Sequence, residues 1–529
     1  MECVLGIDIG TSGAKALIVS GDGRMIASAA VEYSLFHPRP GWAEQDPRAW
    51  WEASIKAIRQ CLAKAEASFC PPGSNGTGLN TGEQVKVVAV GLTGQMHGSV
   101  FLDSHGDTLG NAILWCDGRT LKQCEEITKI VGKERLVDLT LNRALPGFTA
   151  PKILWLREQA PETYSAVRKI LLPKDYVRYR LTGSFATDVS DASGTLLFDV
   201  ARRRWSSEVL DALDIPQAWL PECFESPEVV AHVSPTAARE TGLPPGTPVV
   251  AGAGDQAAGA VGNGIVRQGQ ASCVLGTSGV LFWSSDTPAY DREARLHSFC
   301  HAVPGKWHLM GVTLAAGGSL RWFRDALCAI EKERAMLEGL DEYDLITALA
   351  EQVEPGSEGL VFLPYLSGER TPYSDPKARG AFIGLSLRHS KAHMSRSVLE
   401  GVALSLLDCM ELAREVGVDT TRVYASGGGA RSALWRSILA DCFDAEVARV
   451  GVDEGPAYGA AILASVGVGM FDSVEDACRL LVKESGSVVN PCAERVEIYG
   501  RLHSLYRPLY SALQDFYERN TEFVSYASG

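Results

Sequence analysis

The chain has no long apolar run, no paired-cysteine motif and no excess of positive charge. No apolar stretch approaches the ~20 residues that a membrane helix needs, so no span is expected. The opening Met1-Glu2 carries neither a basic nor an apolar segment ahead of the first strand-like run, so a secretory signal is not expected. Thirteen cysteines are scattered without one C-x-x-C pair, and several, such as Cys273 and Cys442, sit inside apolar runs. Free thiols buried in a reducing cytoplasm explain this odd, unpatterned count better than a disulfide framework does. Lys and Arg number 50 against 64 Asp and Glu, a net charge of −14. Such a surface repels phosphate backbones and argues against nucleic acid as a partner, while one local site can still be positive or metal-bridged. Two catalytic signatures are also missing, the Walker A G-x-x-x-x-G-K-[ST] and the G-x-S-x-G nucleophile elbow.

What is present is ample material for buried cores. The chain has 529 residues and 46% hydrophobic content. Single cores stop growing near ~250–300 residues, so two to four domains are expected. Val4–Ile9, Ala16–Val19 and Met25–Val31 read as strands joined by turns at Gly10-Thr11-Ser12-Gly13 and Gly21-Asp22-Gly23, an antiparallel meander. Helical periodicity runs from Asp46 to Cys61, and Val85–Leu92 is a further buried strand. A second block repeats the grammar. Thr247–Gly254 reads as its first strand, and Ala271–Leu275 and Val280–Trp283 flank a second Gly-Thr-Ser-Gly at 276–279. The matched strand–turn–strand setting favours an internal duplication over coincidence. Gly242-Leu243-Pro244-Pro245-Gly246 interrupts the pattern and puts the domain boundary near 245. Ser68–Gln84 reads as a surface loop. Leu502, Leu505, Tyr506, Leu509, Leu513 and Phe516 share one helical face, with a disturbance expected at Pro508 and fraying in the last eight or so residues.

Four segments carry chemistry. In Gly6-x-Asp8-x-Gly10-Thr11-Ser12-Gly13-x-Lys15, glycines admit backbone N–H groups to a phosphate, while Thr11, Ser12 and Lys15 add donors. Asp8 at a strand end suits Mg²⁺ held through water. A plain hairpin is the alternative, but a carboxylate in an apolar strand is costly without such a role. Around Gly252-Ala253-Gly254-Asp255-Gln256-Ala257 the pattern also fits G-x-G-x-x-A, a dinucleotide-site look-alike. That site needs an acidic residue about 20 positions on, and residues 265–285 contain neither Asp nor Glu. Asp255 fits equally a helix N-cap and a base that contacts a hydroxylated substrate. Ser426-Gly427-Gly428-Gly429-Ala430-Arg431 permits close approach of a flat ligand such as a purine, or is a flexible turn. Glu454-Gly455-Pro456-Ala457-Tyr458-Gly459 opens a small-residue helix suited to tight packing. Gly94-Gln95-Met96-His97-Gly98 offers a thioether and an imidazole as a wall for a small polar ligand, although a loop histidine is usually inert. His297, Cys300, His301 and His308 lack zinc-site spacing and read as packing residues.

Together with Leu114-Trp115-Cys116-Asp117-Gly118-Arg119, Pro146–Lys152, Leu172-Pro173-Lys174-Asp175-Tyr176 and Phe362–Pro372, these segments resemble the FGGY family of carbohydrate kinases, from about residue 3 to about residue 515. The resemblance implies an α/β fold of two actin/hexokinase-like (ribonuclease H-like) domains with a cleft between them, 1–245 on the sugar side and 246–529 on the ATP side. It implies ATP and Mg²⁺ as cofactors, Asp255 as catalytic base, Asp8 beside it, and the metal near Asp8 and Asp255. Met96, His97, Trp115, Asp255 and Gln256 would hold the sugar. Gly276, Thr277, Gly317, Arg321, Gly427, Gly428 and Gly429 would line the nucleotide side, and the two Gly-Thr-Ser-Gly turns would face each other across the cleft. Gly-Gln-Met-His-Gly points within the family to D-xylulose, phosphorylated at O5 in pentose catabolism. One residue departs from that pattern: Gln256 stands where Asn usually follows the base, as it does in glycerol-specific members. Their Arg-Glu pair in the substrate loop is Met96-His97 here, which disfavours glycerol. Another ketose or polyol, such as L-ribulose or glycerol, and a silent sugar sensor on the same fold are the alternatives. The implied setting is cytoplasmic, with sugar and ATP as partners, no nucleic acid, no membrane, and a homodimer left open.

Overall fold

The computed structural model describes residues 1–69, 85–450 and 455–528. The loop read at 68–84 therefore lies outside the described residues from position 70 on, as does Glu454.

The first half opens with the expected meander, β1 (Glu2–Ile9), β2 (Gly13–Ser20) and β3 (Met25–Glu32), followed by α1 (Pro47–Phe69) and β4 (Lys86–Gly94). Then come α2 (Thr149–Gln159), α3 (Pro173–Thr182), the one-turn α4 (Val189–Ser193), β5 (Val229–His232), β6 (Pro248–Val250), β7 (Ala253–Gly254) and α5 (Asp255–Gly262). Six strands order as β5-β6-β4-β1-β2-β3, and β7 also pairs with β4. β1 runs antiparallel to β2 and parallel to β4. The stretch Thr247–Gly254, expected to open the second block, forms instead in two pieces on the first sheet. Gly252, with φ +72°, breaks it, and a side chain there would fall 1.9 Å from the Leu92 carbonyl. The boundary expected at 245/246 thus falls ahead of two strands that still belong to the first sheet.

The second half supplies β8 (Gln270–Leu275), β9 (Gly279–Ser285), β10 (His297–Cys300), β11 (Trp307–Thr313), α6 (Gly317–Leu327) and α7 (Lys391–Glu415). β12 (Arg422–Ser426), β13 (Glu446–Val450), α8 (Gly455–Gly467), β14 (Glu484–Val489) and α9 (Ala493–Ser528) complete it. Its sheet orders as β10-β11-β9-β8-β12-β13-β14. β8 pairs antiparallel with β9 and parallel with β12, and β13 pairs antiparallel with β14. Apart from the edge strand β10 here and the short β7 of the first sheet, the two sheets share one spatial order of strands.

Alternation along β1 decides what covers each face. Leu5, Ile7 and Ile9 enter one core with Trp50 of α1 and Tyr176 of α3. Val4 enters another with Ala457 and Ala461 of α8 and Ala257 and Ala258 of α5. Gly6 and Asp8 share the parity of Val4. A Cβ on Gly6 would lie 2.0 Å from the Ala457 carbonyl, and one on Gly91 of β4 1.9 Å from that of Ala460. The small-residue helix expected at 455–461 therefore packs as predicted, but onto the other half's sheet. It also meets α5 backbone to backbone, since a Cβ on Gly459 would fall 1.8 Å from the Ala258 carbonyl. Ala260 of α5 in turn joins Phe282, Tyr424 and Ala448 of the second sheet.

His297, Cys300, His301 and His308 are buried on β10, β11 and the turn between, and their rings pack with Phe282 and Phe299. The terminal helix differs from expectation. It runs through Pro508 to Ser528, and Leu505 and Phe516 are exposed, while Leu502 and Tyr506 are buried.

Candidate active site

Parallel strands carry the site at their C-terminal ends. Asp8 on β1 stands opposite Thr93 on β4, and Thr93 stands opposite Ala253 on β7. Asp8 and Ala253 are thus two strand spacings apart, about 10 Å. Asp255 begins α5 two residues later. The N-cap position belongs to Gly254, and Asp255 is the first helical residue, so the N-cap reading of Asp255 does not hold. Burial pushes the Asp255 carboxyl up to about 6, against the pull of hydrogen bonds from the Gln256 backbone and side chain.

Met96 and His97 close on the same point. A Cβ on Gly254 would fall 2.9 Å from Met96 Cγ, so the thioether lies directly against the residue before Asp255. His97 sits in the left-handed region at φ 68°. Its carbonyl accepts from Lys152 Nζ at 2.8 Å and from Thr149 Oγ1 at 3.1 Å, which holds this uncommon backbone. Its Nδ1 is 2.6 Å from the Gly194 carbonyl. Burial, with Lys152 adding to it, lowers His97 to about 3, so the ring is neutral. Nδ1–H donates to Gly194, and Nε2 is left as an acceptor for a hydroxyl. Lys152, fully buried on α2, is lowered by burial to about 7.

The first turn joins this group. Trp115 Nε1 donates to Thr11 Oγ1 at 3.0 Å, and Thr11 Oγ1 donates to Gln95 Oε1 at 3.3 Å. Gln45 Nε2 donates to the Thr11 carbonyl at 2.7 Å, and Gln95 Nε2 donates to Gln45 Oε1 at 2.9 Å. Tyr33 donates its hydroxyl to the Gly10 carbonyl. Ser12 is exposed, and Lys15 stands opposite Asp8 on β2. Trp115 is 40% exposed, which leaves its ring face available to a ligand.

The second turn gathers the other group. Gly317 N donates to the Gly276 carbonyl at 2.8 Å and Gly318 N to that of Thr277 at 3.0 Å. Gly427, at φ +82°, lies so close to Leu275 that a Cβ would fall 2.7 Å from its carbonyl, whereas a Cβ on Gly428 would meet nothing within 4 Å. Arg321 is exposed on α6. The structure therefore brings Thr11, Met96, His97, Trp115, Asp255 and Gln256 together at one sheet, and Gly276, Thr277, Gly317 and Gly427–Gly429 together at the other.

Three contributors carried no role in the sequence reading. Lys152 has a local signal, a charge inside the apolar run Ala150–Leu156. Gln45 and Tyr33 have none, because their partners are remote in sequence. Among the described residues no group of three or more His, Cys, Asp or Glu gathers as a metal cage. Two carboxylates, with phosphate oxygens and water completing the sphere, are the donor set that Mg²⁺ takes, so Asp8 and Asp255 fit it.

The N-terminal domain of the FGGY family of carbohydrate kinases matches residues 3–262, and its C-terminal domain matches residues 271–468. The chain belongs to this family, with two actin/hexokinase-like lobes. It is 40% identical to a xylulose kinase of Escherichia coli over 513 residues, 96% of this chain and 99% of that protein. It is 36% identical to a xylulose kinase of Bacillus subtilis over 99% of each. Among solved structures, a xylulose kinase from Rhodospirillum rubrum superposes with a TM-score of 0.88 at 31% identity, covering 98% of this chain and all of that one. No helix among the described residues is long and apolar enough to cross a membrane.

Proposed function

We propose that this chain transfers the γ-phosphoryl group of ATP to O5 of D-xylulose. The observation that carries the proposal is the pairing of a carboxyl poised at about 6, Asp255, with a neutral imidazole and a thioether, His97 and Met96, at the C-terminal ends of the central strands of one sheet. The xylulose kinases at 36–40% identity over nearly full length support the same substrate.

The mechanism follows from these groups. His97 Nε2 and the Gln256 amide hold sugar hydroxyls, and Trp115 covers the ring-free carbon chain. Asp255 accepts the O5 proton as the nucleophile attacks. A base near the working pH is ionised yet still basic, which general base catalysis requires. Backbone N–H groups of both Gly-Thr-Ser-Gly turns, that of Thr11 among them, with the side chains of Ser12 and Lys15, take up phosphate charge from two sides. Asp8 and Asp255 would hold Mg²⁺, which would supply charge neutralisation at the phosphates. Thr277, Gly317, Arg321 and Gly427–Gly429 line the nucleotide. Catalysis in this scheme is positioning plus electrostatics. The sugar side belongs to the first lobe and the ATP side to the second, and the working compartment is the cytoplasm.

A coupled ADP-release assay with D-xylulose, L-ribulose and glycerol tests the proposal. The fastest turnover is expected with D-xylulose. Faster release with either of the others, the outcome Gln256 allows, overturns the substrate assignment.

A further inference from the structure

Beneath the site lies a cluster that the mechanism does not use. The side chains of Lys174, Asp175, Arg178, Asp188 and Asp191 are all 0% exposed. Lys174 Nζ lies 2.6 Å from Asp175 Oδ1, 2.9 Å from Asp188 Oδ1 and 3.1 Å from Asp191 Oδ2. Arg178 pairs with Asp175 at 2.9 Å and donates to the Ala186 and Ala251 carbonyls. Two cations face three carboxylates. Burial, with Asp175 and Asp188 nearby, raises Asp191 well above the usual range. Buried ion pairs are weak evidence for stability, since apolar residues of equal volume often serve as well. A role in orientation explains the cluster better.

Its hydrogen bonds lead to the site. Asp188 Oδ2 accepts from the Ser190 amide at 2.8 Å, from Ser190 Oγ, and from Ser226 Oγ at 3.2 Å. Ser190 Oγ gives its only proton to Asp188, so its lone pairs are turned to Gly254 N, which donates to it at 3.1 Å. Gly254 is the residue before Asp255. At the other end of α4, Gly194 holds the imidazole of His97, and Ser193 Oγ accepts from Cys300 N on β10 at 3.0 Å. The stretch from Asp188 to Gly194 therefore touches the residue before the base, the sugar-side histidine and the second sheet.

We propose that this stretch, anchored by Lys174 through Asp188, is the positioning element of the reaction. Ser190 fixes the backbone from which Asp255 reaches the nucleophile, and Gly194 fixes the His97 ring. Neither Ser190 nor Asp188 is placed against sugar or ATP; they act through their neighbours. The inference rests on Asp255 as the base.

The test compares Ser190→Ala with Ser226→Ala in the full chain. Each removes a buried hydroxyl bonded to Asp188, but only Ser190 also binds Gly254. Both should lower the melting temperature, Ser190→Ala by more because it also leaves Gly254 N without its acceptor. Ser190→Ala should cost roughly tenfold in kcat, as small misplacements of reacting groups do, with KM for ATP unchanged. Ser226→Ala should keep its kcat. In an Asp255→Asn background, Ser190→Ala should cost nothing further. Equal kcat losses in the two serine variants, an unchanged kcat in Ser190→Ala, or a loss that persists undiminished without the Asp255 carboxylate would each overturn the proposal. If Ser190→Ala does not fold, Ser190→Cys, slightly larger and a weaker donor and acceptor, is read the same way. Full turnover in Asp255→Asn removes the base reading and this one with it. A slow Asp255→Asn beside an unaffected Ser190→Ala removes only this one.

Discussion

The two sheets share a strand order and a tetrapeptide turn, yet the residues that flank the two turns differ in charge. Two residues ahead of Gly-Thr-Ser-Gly stand Asp8 in the first copy and Val274 in the second; two residues beyond it stand Lys15 and Leu281. The turns differ as well. Ile9 pairs with Ala14 around four residues, whereas Leu275 pairs with Gly279 around three. After the neighbouring parallel strand come Gln95, Met96 and His97 in one copy and Gly427–Gly429 in the other. The first copy thus presents side chains with donors and acceptors, which suit hydroxyls in fixed positions. The second presents bare backbone, which suits a flat ring and a phosphate. One scaffold serves two ligands because the chemistry sits at strand ends, where residues change without touching the cores.

That asymmetry can be broken by mutation. The largest effect is expected from Asp255→Asn, a loss of at least ~10²-fold in kcat with an unchanged melting temperature. A variant that keeps more than about a tenth of wild-type turnover would mean the first copy does not supply the base. Next, Asp8→Val gives the first turn the residue found in the second. Turnover should fall roughly 10- to 100-fold, with partial recovery as Mg²⁺ is raised. A full rate at low Mg²⁺ would make Asp8 dispensable.

The pH profile sharpens the same contrast. Asp255 accepts a proton only when ionised, so kcat should fall with a one-proton slope as pH drops below its pKa, about 6 with no cation bound and lower once Mg²⁺ sits against the carboxyl. One pH unit lower, the loss should be about tenfold. His97, lowered to about 3, adds no step in that range. An acid limb that persists unchanged in Asp255→Asn would assign it elsewhere.

Smaller effects come from the glycines. Gly459→Ala should cost about 1–3 kcal/mol in urea unfolding, because the Ala258 carbonyl occupies the space. Gly428→Ala should stay within about 0.5 kcal/mol, since nothing lies near it. Equal costs at the two positions would contradict the backbone contact between α5 and α8.

Local pattern made much of this legible. The meander, the duplicated turns and the strand at 271–275 are short-range features, and each is written in consecutive residues. Pairing is not. Thr247–Gly254 reads as an apolar strand whichever sheet it joins, and only the geometry assigns it to β4. The N-cap role was open for Asp255 because one residue's shift leaves the sequence pattern intact. The family resemblance supplied the grouping of Met96, His97 and Asp255. It gave no role to Lys152 or to the Lys174 cluster, whose partners lie as far as 73 positions away.

The exchange of helices between the sheets bears on how such a chain could have arisen. α8 of the second copy covers the first sheet, and Ala260 of α5 reaches into the second. Neither copy, cut free, would close its own interior. A single ancestral copy built this way would have left one sheet face wet unless a sibling molecule lent the cover. Fragments divided after α5 should regain structure only when mixed.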